Sequence, residues 1–166
     1  MPPCRCGYLD DPAMACSRAP KCATEYQSKI SGPLFDRIDI HIDVPAVKAG
    51  DLTLPPPAEG SAEVAARVQK TRQIQLDRYR DLESPEIIRT NAQIDGKLLE
   101  KVAAPSTEGK ALMEEAVEKM HLTARGYHRV LRVARTLADM ERQEKIARHH
   151  LAEALSYRRI APQMLG

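Results

Sequence analysis

The sequence lacks tryptophan and has a single phenylalanine, and its apolar runs are only a few residues long. A core without large aromatics must be built from aliphatic side chains and methionine. The short runs exclude a membrane-spanning helix, which needs about 20 apolar residues. Because the formal net charge is only +2, the overall charge does not indicate a nucleic-acid or membrane partner, so any basic function must come from local clusters.

Several motifs of enzymes and secreted proteins are also missing. The chain has no phosphate-cradling G-x-x-x-x-G-K-S/T loop, no evident catalytic triad and no signal peptide, so a cytoplasmic, reducing compartment is expected. His149 and His150 could suggest a metal, but adjacent helical residues point about 100° apart. One surface and one partly packed histidine is the other interpretation. The cysteines begin within four residues of the start, so we expect a piece of a longer protein.

The residue pattern of the sequence changes near residues 45 and 61. Residues 38–44 alternate between apolar and polar side chains, which predicts one half-buried strand, and no convincing partner strand follows. Residues 45–60 contain four prolines and two glycines and predict a stiff linker. Residues 61–166 predict a self-contained helical bundle, so the chain as a whole is predicted to be mainly α. Residues 1–44, with the orphan strand, are expected to be poorly ordered.

Helical periodicity and capping residues locate the elements of this bundle. The predicted helices are Ser61 to about Arg80, Asp95–Val102, a helix capped by Ser106 or Thr107 to Met120, one capped by Thr123 to about Met140, and Ala147 to about Arg158. The first should bury Ala65, Val68, Leu76 and Tyr79. The Thr123 helix should bury Tyr127, Val130, Leu131, Ala134 and Leu137 or Ala138.

The four cysteines, Cys4, Cys6, Cys16 and Cys22, all lie in the first 22 residues. Four soft ligands in a reducing compartment suit a structural tetrahedral Zn²⁺ site, although the first pair is closer than the usual spacing. A disulfide and incidental free thiols are the alternatives.

Arginines follow one edge of the Thr123 helix. Arg125, Arg129 and Arg132 are spaced i, i+4, i+7, with Arg135 on the flank. Guanidinium groups suit bidentate contacts to phosphate, so this stripe could bind a polyphosphate or a nucleic-acid backbone. A solvated helix face is the simpler alternative. Arg125 differs from the others because it lies in the first turn, where backbone N–H groups also favour an anion.

A single arginine, Arg37, stands between Asp36 and Asp39 after the Gly32-Pro33 turn. It could form a local ion pair. It could instead be presented to a neighbouring molecule, where a guanidinium stabilises charge on a transferring phosphoryl group.

Three motifs in order carry a family resemblance. "SGPLFDRIDIHIDVP", "LTARGYHRVLRVARTLAD" and the closing "HLAEALSYR", with "PCRCGY" at the start, resemble the magnesium-chelatase-like AAA+ ATPases, in particular the ComM/YifB competence-protein type. The resemblance covers nearly the whole chain. It implies that residues 1–44 are the end of an AAA+ α/β core, truncated here, and that residues 61–166 are the helical lid.

The resemblance also implies roles for two arginines. Arg37 matches the arginine of the L-x-R-F/I-D motif, an arginine finger that reaches the nucleotide of the next subunit in a ring. Arg125, in "TAR", matches the sensor 2 residue that contacts the phosphates. The Walker A and Walker B segments are absent, and Pro2 stands where the family has the sensor 1 asparagine, so that role cannot be assigned.

The function expected from the resemblance is that of a homo-oligomeric, hexameric motor that uses ATP and Mg²⁺ to move branched DNA during recombination of incoming DNA. The segment alone is expected to be monomeric and inactive, with no membrane partner. Two alternatives are a subunit of an ATP-driven magnesium chelatase and a stand-alone zinc-stabilised helical module that binds nucleic acid through the Arg125–Arg135 stripe.

Overall fold

The structure, a computed structural model, is mainly α-helical, which confirms the predicted fold class. It describes residues 4–5, 7, 14, 16–42, 44, 47, 49–55, 58–82 and 87–158. The chain divides into two compact units at the boundary between residues 55 and 56. No helix of the described residues is long and apolar enough to cross a membrane.

The first unit contains short helices. Its described elements are α1 (Lys21–Gln27), α2 (Gly32–Asp36) and a 3₁₀ turn over Ala49–Thr53. Ala23 is the one buried residue of α1, so this helix carries no apolar stripe from which the sequence could have predicted it. The predicted Gly-Pro turn is a helical turn instead, because Pro33 fits the first turn of a helix, where no N–H partner is needed.

The predicted strand is not formed in residues 38–42 or 44, which the structure describes as irregular. Its apolar side chains Ile38, Ile40, Ile42 and Val44 are exposed. The alternation in the sequence is that of a half-buried strand, but a strand needs neighbours for its backbone hydrogen bonds. None of the described residues belongs to a sheet that could supply them.

The second unit is a bundle of five α-helices, and the described residues place their bounds close to the predicted ones. They are α3 (Ser61–Tyr79), α4 (Gly96–Val102), α5 (Thr107–Met120), α6 (Ala124–Met140) and α7 (Arg148–Ser156), with a 3₁₀ turn over Asn91–Gln93. The Ser106 hydroxyl accepts from Gly109 N at 3.2 Å, and the Thr123 hydroxyl accepts from Gly126 N at 2.9 Å. These two side chains cap α5 and α6 as their residue types predict.

The core of this unit is aliphatic, as the lack of aromatics requires. Helix α6 is its centre and packs against α3, α4, α7 and the 3₁₀ turn. Its buried apolar residues are Val130, Leu131, Ala134 and Ala138, while Tyr127 and Leu137 pack partly buried beside them. The predicted inner face of α6 is therefore confirmed.

Helices α5 and α7 approach each other closely at Gly109. A Cβ atom placed on this residue would lie 2.6 Å from Leu151 Cδ1 and 3.2 Å from Pro105 Cβ. Since Leu151 is fully buried, it has little room to move. Glycine is required here for close approach rather than for an unusual backbone conformation.

The inward face predicted for α3 is wrong in three of its four residues. Tyr79 is buried, but Ala65, Val68 and Leu76 are exposed. The other two buried residues of α3 are polar, Thr71 and Gln75. Apolar periodicity could not find this face because α3 meets the bundle through polar side chains.

A buried ionic cluster joins α3 to α6 around the carboxylate of Asp139, whose side chain has no exposed surface. Arg78 binds this carboxylate with both terminal nitrogens, and Arg135 Nε donates to Asp139 Oδ1 at 3.1 Å. Asn91 Nδ2 donates to Asp139 Oδ2 at 2.8 Å. Hydrogen bonding to Asp139 raises the pKa of Arg78, while burial lowers the pKa of Arg135.

Removing the carboxylate charge should destabilise this unit strongly. Asp139→Asn leaves two guanidinium groups facing each other, one of them in Arg135, which is almost fully buried. Breaking a buried ion pair by removing one partner costs about 3–5 kcal/mol. We expect a loss of that order in the free energy of unfolding, measured by urea denaturation of the 166-residue chain.

Asp77→Asn is the matched control, since Asp77 lies in α3 and forms an exposed ion pair with Arg80, the residue that follows the helix. Exposed pairs contribute about 0–1 kcal/mol. Equal losses in the two variants would contradict the assigned importance of the buried cluster.

Candidate functional site

Arg37 directly follows α2, and its backbone N–H donates to Leu34 O at 3.0 Å. Its side chain is exposed. The described residues place no carboxylate in an ion pair with it, although Asp36 and Asp39 are its near neighbours in sequence. The local ion pair considered from the sequence is therefore not present in the described part of the chain, and the guanidinium lies at the surface.

Arg125 is the second residue of α6 and lies just after the Thr123 cap. It is exposed. The first turn of a helix carries a partial positive charge and has unsatisfied N–H groups. An exposed guanidinium in this turn creates a positively charged helix end, which suits an anionic group.

The rest of the predicted arginine stripe does not face solvent as a unit. Arg132 Nε donates to Ile94 O at 2.9 Å, and its Nη2 lies 3.3 Å from the Asp95 carboxylate. Arg129 is half-buried. Of the three arginines spaced i, i+4, i+7, Arg125 is exposed, whereas Arg129 and Arg132 are half-buried.

Arg135 requires a correction. It was predicted as a weak nucleic-acid contact, but its side chain is 2% exposed. Besides Asp139, its guanidinium donates to the carbonyl oxygens of Gln143 and Glu144. A phosphate backbone cannot reach it. Its place on the flank of the apolar stripe, rather than opposite to it, is the signal in the sequence that favours the interior.

Three of the four cysteines are described, and none of these three forms a disulfide. The Sγ atoms of Cys16 and Cys22 lie 3.2 Å apart, and Cys4 is fully buried. Sulfur atoms about 3.8 Å apart are required by tetrahedral zinc with Zn–S bonds of about 2.3 Å. The Cys16–Cys22 separation is about 0.6 Å shorter than this, so the two thiols lie side by side but not at the spacing of two zinc ligands. Cys6 lies outside the described residues.

A second cluster of possible metal ligands joins the end of α6 to the start of α7. Glu141, His149 and His150 bring one ligand atom each within 4.8 Å of the others. The two imidazole Nε2 atoms lie 3.1 and 3.0 Å from Glu141 Oε2. His149 is exposed and His150 fully buried, which confirms the interpretation of one surface and one packed histidine.

The hydrogen bonds of His150 argue against metal binding at this cluster. Ala147 N–H donates to His150 Nδ1 at 3.0 Å, so in the neutral ring the proton belongs on Nε2. This Nε2–H then donates to Glu141 and offers no lone pair to a metal. The cluster is a hydrogen-bonded link between α6 and α7. Sequence reasoning missed Glu141 because it is eight residues away from the nearer histidine.

Two family models match the chain and together cover most of it. The model described as "Magnesium chelatase, subunit ChlI C-terminal" matches residues 58–158, and the one described as "Magnesium chelatase, subunit ChlI" matches residues 1–52. The first match spans the helical unit that carries Arg125, and the second spans the segment that carries Arg37. The chain belongs to the magnesium-chelatase-like family of AAA+ proteins.

Similar proteins include relatives from several bacteria. The chain is 36% identical over 141 residues to the competence protein ComM of Haemophilus influenzae, covering 84% of this chain and 26% of that protein. It is 33% identical over 142 residues to the uncharacterized protein YifB of Escherichia coli, covering 85% and 26%. An uncharacterized protein of Mycobacterium tuberculosis is 33% identical over 156 residues, covering 94% and 30%. The chain thus spans less than a third of the length of each of these relatives.

The link between α6 and α7 should make stability depend on pH. Hydrogen bonds from His149, and then from His150, lower the pKa of Glu141 in the folded chain. A carboxyl group with a lowered folded pKa stabilises the fold above its unfolded pKa, and this contribution is lost as the pH falls through the folded value. Glu141→Gln should therefore lower the Tm at pH 6, and the difference from the unchanged chain should shrink as the pH is lowered towards 3.

Glu144→Gln is the control, because it removes a neighbouring exposed carboxylate without touching the histidines. Thermal unfolding of the three proteins between pH 3 and pH 6 provides the comparison. A Tm difference for Glu141→Gln that stays constant over this range would contradict the role of the Glu141 carboxylate.

Proposed function

We propose that this segment supplies the arginine finger and the sensor 2 arginine of a ring-forming, homo-oligomeric AAA+ ATPase that acts on branched DNA during recombination of incoming DNA. The observation that carries the proposal is the exposed guanidinium of Arg37, with which none of the described residues forms an ion pair, in the segment 1–52 that matches the family model. The competence role follows the relative named competence protein ComM. The ring is taken to be a hexamer.

The exposure of Arg37 supports a contact in trans. An arginine finger must leave its own subunit and reach charge on the nucleotide of a neighbour, so it cannot be neutralised by a local carboxylate. Arg37 also follows directly after a helical turn, which gives its backbone a defined position. An exposed guanidinium on a defined backbone is suited to stabilise charge as it develops on the transferring phosphoryl group.

Arg125 supports the second half of the proposal. It is exposed in the first turn of α6, the helix at the centre of the second unit. The helix dipole and the guanidinium both favour a phosphate group at this position. In this role Arg125 binds and orients ATP with its Mg²⁺, while Arg37 acts on the transition state.

We also propose that the cysteines hold a structural Zn²⁺ ion. The side-by-side position of the Cys16 and Cys22 thiols supports this, and Cys4 and Cys6 complete the four thiolates in the proposal. A closed site of four thiolates has no open position for substrate, so the ion would order the N-terminal segment rather than take part in catalysis.

The main test uses the full-length protein that contains this segment. Arg37→Ala should lower ATP turnover by about 1,000-fold or more, since arginine fingers contribute factors of about 10³ to 10⁵. Oligomer assembly and ATP binding should be unchanged. Steady-state ATPase with and without branched DNA, analytical ultracentrifugation and nucleotide titration provide these three measurements.

Arg18→Ala is the matched control, because Arg18 lies in the same unit but pairs with Glu25 at 2.6 Å. It should leave turnover unchanged. Unaltered turnover in Arg37→Ala would overturn the finger assignment, and a loss of turnover that accompanies loss of assembly would assign Arg37 to the subunit contact instead. A turnover insensitive to branched DNA would remove the DNA part of the proposal.

The zinc proposal has its own test on the 166-residue chain. We expect about one zinc per chain by elemental analysis, lost on Cys16→Ser because tetrahedral binding needs all four thiolates. His149→Ala removes an exposed ligand of the other cluster and should leave the zinc content unchanged. A chain without zinc, or one that loses zinc on His149→Ala, would contradict the assignment.

A further inference from the structure

A groove of about 310 Å³ lies within the second unit, between α3, the 3₁₀ turn and α6. We call it the α3 groove, and its lining includes Val68, Thr71, Arg72, Gln75, Ala92 and Met140. The four residues of α3 are spaced i, i+3, i+4, i+7 and therefore share one face of the helix. On a helix that packs on a bundle this face is usually apolar, yet here three of the four residues are polar.

The groove is lined by an amide donor for which the described residues provide no acceptor. Gln75 is 4% exposed, and its Oε1 accepts from Asn91 N at 3.3 Å. This bond fixes the orientation of the amide and leaves the N–H groups of Nε2 without an acceptor among the described residues. Because these N–H groups are not taken up by the fold, a ligand in the groove can offer them an acceptor.

The hydroxyl groups of the groove are already committed. Thr71 donates to Arg67 O at 3.1 Å, and Thr136 donates to Arg132 O at 2.9 Å and accepts from Asn91 Nδ2 at 3.0 Å. The Gln75 amide is therefore the side-chain donor that the buried part of the groove offers among the described residues. A ligand must bring an acceptor to that point.

A positive charge stands beside this donor. Arg72 is exposed, and none of the described residues forms an ion pair with it. Arg72 and Gln75 are three residues apart, which places their Cβ atoms about 5–6 Å from each other. A carboxylate has two oxygens and can accept from both groups at once.

Three residues of the groove lining are apolar. Val68 and Met140 are both among the exposed large hydrophobic residues, at 48% and 42%, and Ala92 also lines the groove. A branched aliphatic side chain that covered Val68 and Met140 would remove apolar area from water on both partners.

We propose that the α3 groove binds the carboxyl-terminal residue of a polypeptide when that residue is aliphatic. The terminal carboxylate accepts from Gln75 Nε2 and from the Arg72 guanidinium, and the aliphatic side chain packs on Val68 and Met140. One cation and one neutral amide match the single charge of a carboxylate, whereas a phosphate group calls for more donors and less apolar surface. The proposal is independent of the ATPase roles of Arg37 and Arg125.

The test uses the ¹⁵N-labelled 166-residue chain and three small probes observed by NMR. N-acetyl-leucine carries both the carboxylate and the aliphatic side chain, N-acetyl-leucinamide lacks the charge, and acetate lacks the side chain. N-acetyl-leucine should shift the side-chain amide signals of Gln75 and the backbone signals of Ala92 and Met140. The two other probes should bind about tenfold more weakly, because each makes only half of the contacts.

Variants identify the two donors. Arg72→Gln should weaken binding of N-acetyl-leucine about tenfold or more, since a charged hydrogen bond is lost. Lys70→Gln is the matched control, because it removes an exposed cation of the same helix that lines a different cavity. Gln75→Glu keeps the acceptor for Asn91 N but replaces the donor, and should abolish binding while the backbone spectrum shows an intact fold.

Three results would overturn the proposal. The first is the absence of any shift at Gln75 with N-acetyl-leucine up to high millimolar concentration. The second is equal binding of N-acetyl-leucine and its amide, which would exclude carboxylate recognition. The third is equal weakening by Arg72→Gln and Lys70→Gln, which would reduce the effect to overall charge.

Discussion

The carboxylate of Asp139 is the point on which the helical unit depends. It lies without exposed surface in α6, and two guanidinium groups and one amide donate to it. Arg78 brings α3 to this point and Asn91 brings the 3₁₀ turn. Arg135 uses its remaining nitrogens on the carbonyl oxygens of Gln143 and Glu144 and so holds the loop that leads to α7. One buried charge therefore ties together four segments that aliphatic packing alone would leave free to slide.

Arginines serve opposite purposes in this family member. Arg78 and Arg135 are held in the interior or at its edge, where they balance a buried charge and form part of the scaffold. Arg37 and Arg125 are exposed at the ends of helices. The difference is physical: a guanidinium already bound to a carboxylate cannot also serve a phosphate group without breaking a buried pair. In the proposed function, the surface arginines Arg37 and Arg125 are the ones that contact the nucleotide.

Features that depend on residues close together in sequence could be predicted, and features that depend on residues far apart in sequence could not. The starts of α5 and α6 were predictable because Ser106 and Thr123 cap their helices within three residues. The aliphatic stripe of α6 was predictable as well, because the spacing of its apolar residues is set within the helix itself. The buried face of α3 was not, because Arg78 and Asp139 are 61 residues apart in sequence and only the fold brings them together. The same holds for Arg135, whose burial depends on the loop after α6, and for residues 38–44, whose alternation alone cannot supply neighbouring strands.

Helix α3 is attached to the bundle over only half of its length. Every residue from 61 to 70 is exposed, and the buried residues begin at Thr71. The free half is secured by local bonds, Gly60 N to Glu63 Oε2 at 3.0 Å and Arg67 to Glu59 at 2.5 Å. Nineteen residues at 1.5 Å each make α3 about 28 Å long, so a pivot of about 10° at its C-terminal end would sweep its tip through about 5 Å. The C-terminal half, which carries the Arg78–Asp139 ion pair and the buried ring of Tyr79, is therefore the part that fixes α3 to the bundle.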